Sequence, residues 1–292
     1  MDPRELPASW PFRSQSRRMR AGSHDWWVAD LGSADKPAIL LLHGLGASGH
    51  SFRRTAPGLS DRFRLIIPDL PGQGCTRCGA ADRLALDKIA EDLWVLCDRL
   101  GTAPQGIVGH SAGAAIALQM SLMRPVRQVV GLNAAIGAFE GPAGVLFPAL
   151  ARGLAALPFV PRMVASFLGT EARVRELLEG TGSTVDDETV ALYLRLVRDP
   201  DHVSGALGMM ARWNLDALLA RLPSLASQVS LIAARNDRTV PPRVSRAVAP
   251  RLPFGHLLEI DGGHLVHEER GDGLAGVILD ALHPATLSPK IS

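Results

Sequence analysis

The segment Gly109-His110-Ser111-Ala112-Gly113 holds a serine with a glycine two positions away on either side. That spacing lets a chain turn so sharply from a strand into a helix that the hydroxyl is left exposed at the turn. A serine hydroxyl is a weak nucleophile, so a base must take its proton, and a base histidine needs a carboxylate to fix its tautomer and stabilise its charged form. Both follow in order: Asp237 lies in Arg235-Asn236-Asp237-Arg238-Thr239-Val240-Pro241, and His264 in Asp261-Gly262-Gly263-His264. We read Ser111 as the candidate nucleophile, Asp237 as the supporting acid and His264 as the base. Attack on an acyl carbonyl also needs donors for the oxyanion. The backbone N–H groups of Ala112, directly after the serine, and of Leu45, within His43-Gly44-Leu45-Gly46, are the candidates. Asp237 alone would pass as a turn residue and His264 as a histidine in a glycine turn; their joint occurrence in this order carries the reading. His43 is expected to orient the early loop, His110 to be structural, and His267 with Glu268 and Glu269 to open the last helix.

Such side chains must be held by rigid elements. Short apolar runs predict strands at 26–31, 38–42, 63–67, 106–108, 126–132, 229–233 and 256–260. Helical spacing covers 86–100 and good helix formers cover 114–123. Continuous apolar strands alternating with helices imply a mainly parallel sheet covered on both faces, an α/β architecture. Ser111, Asp237 and His264 each fall just past a strand's C-terminal end, where such sheets assemble their sites. The rhythm breaks after Asn133. We expect an inserted helical lid at 137–212 over a core formed by 23–136 and 213–283, with a loosely attached N-terminal arm at 1–22 and a tail at 284–292. From the apolar character of the insertion, Phe147, Met209, Met210 and Trp213 are expected to line a binding surface.

Composition narrows the function. Lys+Arg total 31 against 29 Asp+Glu, so the electrostatic footprint of a nucleic-acid binder is lacking. Three cysteines, Cys75, Cys78 and Cys97, are too few for a disulfide framework and point to a reducing compartment, the cytoplasm. The lone Cys75-x-x-Cys78 is expected to be incidental. No stretch reads as a signal peptide or membrane span, no phosphate-loop motif is found, and no His and carboxylate cluster has metal-ligand spacing, so no metal or other cofactor is expected.

Residues 39–269 resemble the α/β-hydrolase superfamily through His43-Gly44, Asp69-Leu70-Pro71-Gly72, the Ser111 turn, Asn236-Asp237 and Gly263-His264. One departure is Gln73, where many members carry histidine. Gly109 to Ala115, Gly180-Thr181-Gly182-Ser183, Gly208-Met209-Met210-Ala211 with Trp213-Asn214-Leu215, and Asn236 to Pro242 are similar to the magnesium-chelatase accessory family of bacteriochlorophyll biosynthesis. That resemblance implies a photosynthetic bacterium, a role near magnesium insertion into protoporphyrin and contact with magnesium chelatase subunits. The residues offer hydrolysis, whereas metal insertion needs ATP-driven machinery. A serine hydrolase acting on an apolar ester, such as a tetrapyrrole ester, reconciles the two; the alternative is a non-catalytic tetrapyrrole carrier. Arg152, Arg162, Arg173, Arg175, Arg195, Arg198 and Arg212 would offer a carrier partners for propionates.

Overall fold

A computed structural model describes residues 1–137, 157 and 159–282, with backbone only for Asp272. The described residues form an eight-stranded sheet. Its strands are β1 (Ser16–Ala21), β2 (His24–Leu31), β3 (Ala38–Leu42), β4 (Arg64–Pro68), β5 (Gly106–His110), β6 (Gln128–Leu132), β7 (Gln228–Ala234) and β8 (Gly255–Ile260). The order is β1-β2-β4-β3-β5-β6-β7-β8. β1 and β2 run antiparallel to their neighbours, and every pairing from β4 through β8 is parallel. The mainly parallel sheet expected from the apolar runs is present. β3, β5 and β6 are buried along their whole length because both faces are covered.

One face carries α2 (Leu86–Arg99) and α3 (Ala112–Met123), the other α1 (Ala56–Ser60) and α11 (Gly271–Leu282). Residues 112–121 of α3 are all buried, so this helix is covered on every side, as its small residues allow. It lies against α2, the sheet and α8 (Asp216–Arg221). Two short helices, α9 (Arg243–Val248) and α10 (Val266–Glu269), follow β7 and β8.

Between β6 and β7 the chain leaves the sheet for α4 (Val160–Leu168), α5 (Glu171–Gly180), α6 (Asp187–Val197) and α7 (Pro200–Ala211). The side chain of Asp186 caps α6 by accepting from Thr189 N–H, and that of Asp199 caps α7 by accepting from His202 N–H. Val174, Leu178, Val190, Tyr193 and Leu196 give these helices a core of their own. Much of the region expected to lead into them, including Phe147, Pro148 and Arg152, lies outside the described residues, as does 284–292.

The N-terminal residues do not form the loose arm expected. Residues 16–21 make the edge strand β1, with Ser16 opposite Ala29 and Ala21 opposite His24, while Leu6 and Trp10 are buried in the core of the helical excursion. Three arginines and a serine in Ser16–Ala21 hide the strand from an apolar-pattern search. They suit an edge that meets water, and Arg18 pairs with Asp25 on β2 at 2.8 Å.

All three cysteines are free thiols, and Cys75 and Cys97 are buried, which pushes each up to about 12. Among the described residues, no helix is long and apolar enough to cross a membrane.

Candidate active site

Ser111 stands at the junction of β5 and α3 with φ 52° and ψ −116°, a conformation a side-chain-bearing residue adopts only under constraint. The constraint is visible. Ser111 N–H donates to Leu132 O at 2.9 Å, and Ser111 O accepts from Ala114 N–H at 3.1 Å and Ala135 N–H at 3.0 Å. A Cβ at Gly109 would sit 2.3 Å from Gly113 O, and one at Gly113 would sit 2.2 Å from Leu42 O. Both glycines are therefore required for the strand and helix to meet this closely.

The three side chains singled out in the sequence form one hydrogen-bonded chain. His264 Nε2 lies 3.1 Å from Ser111 Oγ, and His264 Nδ1 lies 2.7 Å from Asp237 Oδ2. Asp237 Oδ1 accepts from Thr239 and Val240 N–H, both at 2.8 Å, so the carboxylate's second oxygen is committed to the turn after β7. All three residues are more than nine-tenths buried.

Of the residues that brace this chain, sequence reasoning missed Asn133 and expected of His110 only that it be structural. Asn133, at φ 46° just past β6, donates from Nδ2 to Gly263 O (3.0 Å) and His264 O (2.9 Å) and accepts from Ala234 N–H at 2.7 Å. It thereby ties β7 to the loop bearing His264; its position beyond a central strand was the available signal. His110 Nε2 donates to the same His264 carbonyl at 2.8 Å. Burial keeps His110 neutral at ordinary pH, and its ring packs 4.1 Å from that of His267, itself depressed to about 3.

The Gly180–Ser183 segment, between α5 and α6, lies on both loops at once. Ser183 Oγ accepts from Leu265 N–H at 2.8 Å, and Thr181 O accepts from Arg238 N–H at 3.0 Å. Gly182 has φ +86°, and a Cβ there would meet Asn236 O at 2.0 Å.

For an oxyanion, Ala112 is the first residue of α3, where a backbone N–H has no acceptor within the helix. Gly44 O accepts from Ala47 N–H at 3.2 Å and from His43 Nδ1 at 2.8 Å, while His43 Nε2 accepts from Leu70 N–H. A trans peptide sets N–H and C=O on opposite sides, so these contacts direct Leu45 N–H away from His43 and Ala47. His43 performs the orienting role expected of it, held neutral by burial with a value of about 3.

Met209 is fully buried in the main core, whereas Met210 is half-buried and Trp213 packs half-buried against that core. Met209 Sδ receives a hydrogen bond from Gln73 Nε2 at 3.3 Å. Several arginines considered as propionate partners are engaged inside the chain. Arg175 pairs with Asp187 at 2.6 Å, Arg195 donates to Glu5 O, Arg198 to Gly169 O and Arg212 to Gly208 O, and Arg173 lies 3.8 Å over the Phe167 ring.

A family model described as alpha/beta hydrolase fold matches residues 37–271. The magnesium-chelatase 30 kDa subunit of Rhodobacter capsulatus is 55% identical over 282 residues, covering 97% of this chain and 99% of that protein. Among solved structures, an alpha/beta hydrolase fold protein from Burkholderia ambifaria superposes with a TM-score of 0.76 at 22% identity, over 91% of this chain and 97% of that one. A thermophilic esterase from Thermogutta terrifontis gives 0.70 at 22% identity, over 92% and 99%. At that identity both structures speak for the fold alone.

Proposed function

Because this chain belongs to the α/β-hydrolase family, we propose that it is a serine hydrolase of carboxylic esters. The observation that carries the proposal is the chain Asp237–His264–Ser111 ending on a serine held at positive φ. In this reading His264 Nε2 takes the hydroxyl proton as Ser111 Oγ bonds to the ester carbonyl carbon. The carbonyl oxygen becomes an oxyanion that accepts from Ala112 and Leu45 N–H, and collapse expels the alcohol with the proton from His264. Water, deprotonated by the same histidine, then releases the acid and restores Ser111. One oxyanion donor is worth about 2.7–4 kcal/mol of barrier in related chemistry.

The helical excursion from α4 to α7 serves as a lid, with Met210 and Trp213 facing an apolar substrate, the protein working in the cytoplasm. The relative named as a magnesium-chelatase subunit extends the reading to a tetrapyrrole or its ester as ligand and to contact with chelatase subunits. It also supports a second reading, a tetrapyrrole carrier without turnover. The engagement of lid arginines within the chain favours the ester over propionate capture.

A fluorophosphonate probe tests the first reading. Wild-type protein should be covalently labelled and Ser111→Ala should not be, with an unchanged fold by circular dichroism. Equal labelling of the two would remove Ser111 from the role. Magnesium protoporphyrin ester should shift its Soret band on binding to both proteins, with turnover by the wild type only; binding without turnover would favour the carrier.

A further inference from the structure

The departure at Gln73 from the histidine many superfamily members carry leads to the oxyanion loop. Gln73 is completely buried, and its Oε1 accepts from Gly46 N–H at 2.7 Å. With that oxygen committed, Nε2 faces α7 and donates to Met209 Sδ at 3.3 Å. Two turns earlier on α7, His202 completes the grip. Its Nδ1 accepts from Gly74 N–H at 2.9 Å, so the proton sits on Nε2, which donates to Gly46 O at 3.2 Å. The helix can approach this near because it meets the 72–74 turn through glycine: a Cβ on Gly205 would lie 1.9 Å from Gly72 O.

Three successive peptide groups of the loop are thus fixed. Gly44 C=O is held by His43 and Ala47, Gly46 N–H by Gln73, and Gly46 C=O by His202. Gly46 has φ +77°, and a Cβ there would meet nothing within 4 Å, so no side-chain contact of its own holds it. Leu45 N–H belongs to the 44–45 peptide, so Gln73 acts on it one peptide along: if Gly46 N–H were released, the 45–46 peptide could turn, the backbone angles of Leu45 would be freed, and the contacts on Gly44 C=O alone would be left to hold the Leu45 N–H vector.

We propose that Gln73, backed by Met209 and His202 from α7, is a positioning residue that fixes the direction of the Leu45 N–H toward the oxyanion, coupling the helical excursion to the reaction centre. The proposal rests on the serine-hydrolase reading above. It makes Met209 a support for Gln73, where the sequence suggested a substrate contact. Burial lowers His202 to about 4, so the single-proton form this arrangement requires prevails at neutral pH.

A displaced donor weakens the transition state and leaves ester binding alone. The test measures fluorophosphonate labelling rate, and kcat and KM with p-nitrophenyl butyrate, for wild type, Gln73→Leu, Gln73→His and Met209→Leu. Gln73→Leu removes the acceptor at similar volume. It should lower kcat and labelling about 10–100-fold with KM within about twofold, and Gln73→His, which can again accept from Gly46 N–H, should recover most of the loss. Met209→Leu preserves volume and should reduce kcat about threefold or more; it carries the test should Gln73→Leu fail to fold. Wild-type labelling with folded Gln73→Leu, or failing that Met209→Leu, reacting at the wild-type rate would overturn the positioning role and leave the hydrolase reading standing. No labelling or turnover by the wild type would overturn the hydrolase reading and this inference with it.

Discussion

At the scale of single residues, Asp237 offers the sharpest prediction. Its Oδ1 is claimed by two backbone N–H groups and its Oδ2 by His264 Nδ1. In Asp237→Asn the amide oxygen must face those backbone donors, which leaves the NH2 aimed at His264. The imidazole then has to present an unprotonated Nδ1, placing its proton on Nε2 against Ser111. Esterase kcat should fall by about 10⁴, the loss found for the equivalent change in a serine protease, while the unfolding midpoint moves little; activity within a few-fold of wild type would mean another carboxylate serves the histidine. Ser111, Asp237 and His264 were legible because each residue type is chemically demanding and follows a recognisable strand. Asn133, Ser183 and Gln73 were not, since an amide or hydroxyl shows its partner only once distant backbone is folded against it.

At the scale of elements, the sheet was readable because continuous apolar runs leave few alternatives, with boundaries shifted by a residue or two at every expected strand but β3. β1 was hidden by its arginines, and the path of α5 to α7 over the catalytic loops was hidden because helical periodicity says nothing about what a connecting turn touches. The Gly180–Ser183 turn shows the cost of that blindness. Gly182→Ala imposes a left-handed backbone on a residue with a Cβ and drives that Cβ into Asn236 O. The left-handed conformation costs about 1–2 kcal/mol and overpacking about 1–3 kcal/mol. Urea denaturation should show a loss in that range, and kcat should fall with it because Asn236 adjoins Asp237. A variant as stable and active as wild type would show that the turn does not bear on the acid loop.

At the scale of the whole molecule, the interior is loaded with neutral histidines. Burial depresses His43 and His267 to about 3 and His202 to about 4, and holds His50 and His110 well below their ordinary value. Each takes up a proton on unfolding at pH values between its folded value and about 6.5. The stability due to their neutral burial is therefore complete above pH 6.5 and drains away as pH falls, by about 1.4 kcal/mol per pH unit for each group. Asp69, raised to about 6 by burial, works the other way, since the folded state holds its proton more tightly than the unfolded chain between about 6 and 3.8, and buried Glu268, also raised, acts in the same direction. The histidines outnumber these two carboxyls, so the urea midpoint should drop steeply from pH 6.5 to 4.5; a flat profile would mean these rings are protonated or solvated in the native state. Cys75 gives the same packing another meaning. Its thiol lies directly after Gly74, the residue gripped by His202, and is sealed with so high a proton affinity that alkylating reagents have no thiolate to find. Cys75 packs in one cluster with Leu6, Trp10, Val174 and Tyr193, so while the N-terminal segment, α5 and α6 stay seated the chain behaves as though it had no cysteine there, and any reagent that does mark Cys75 has recorded a moment when that cover lifted, giving the protein a built-in tally of its own openings.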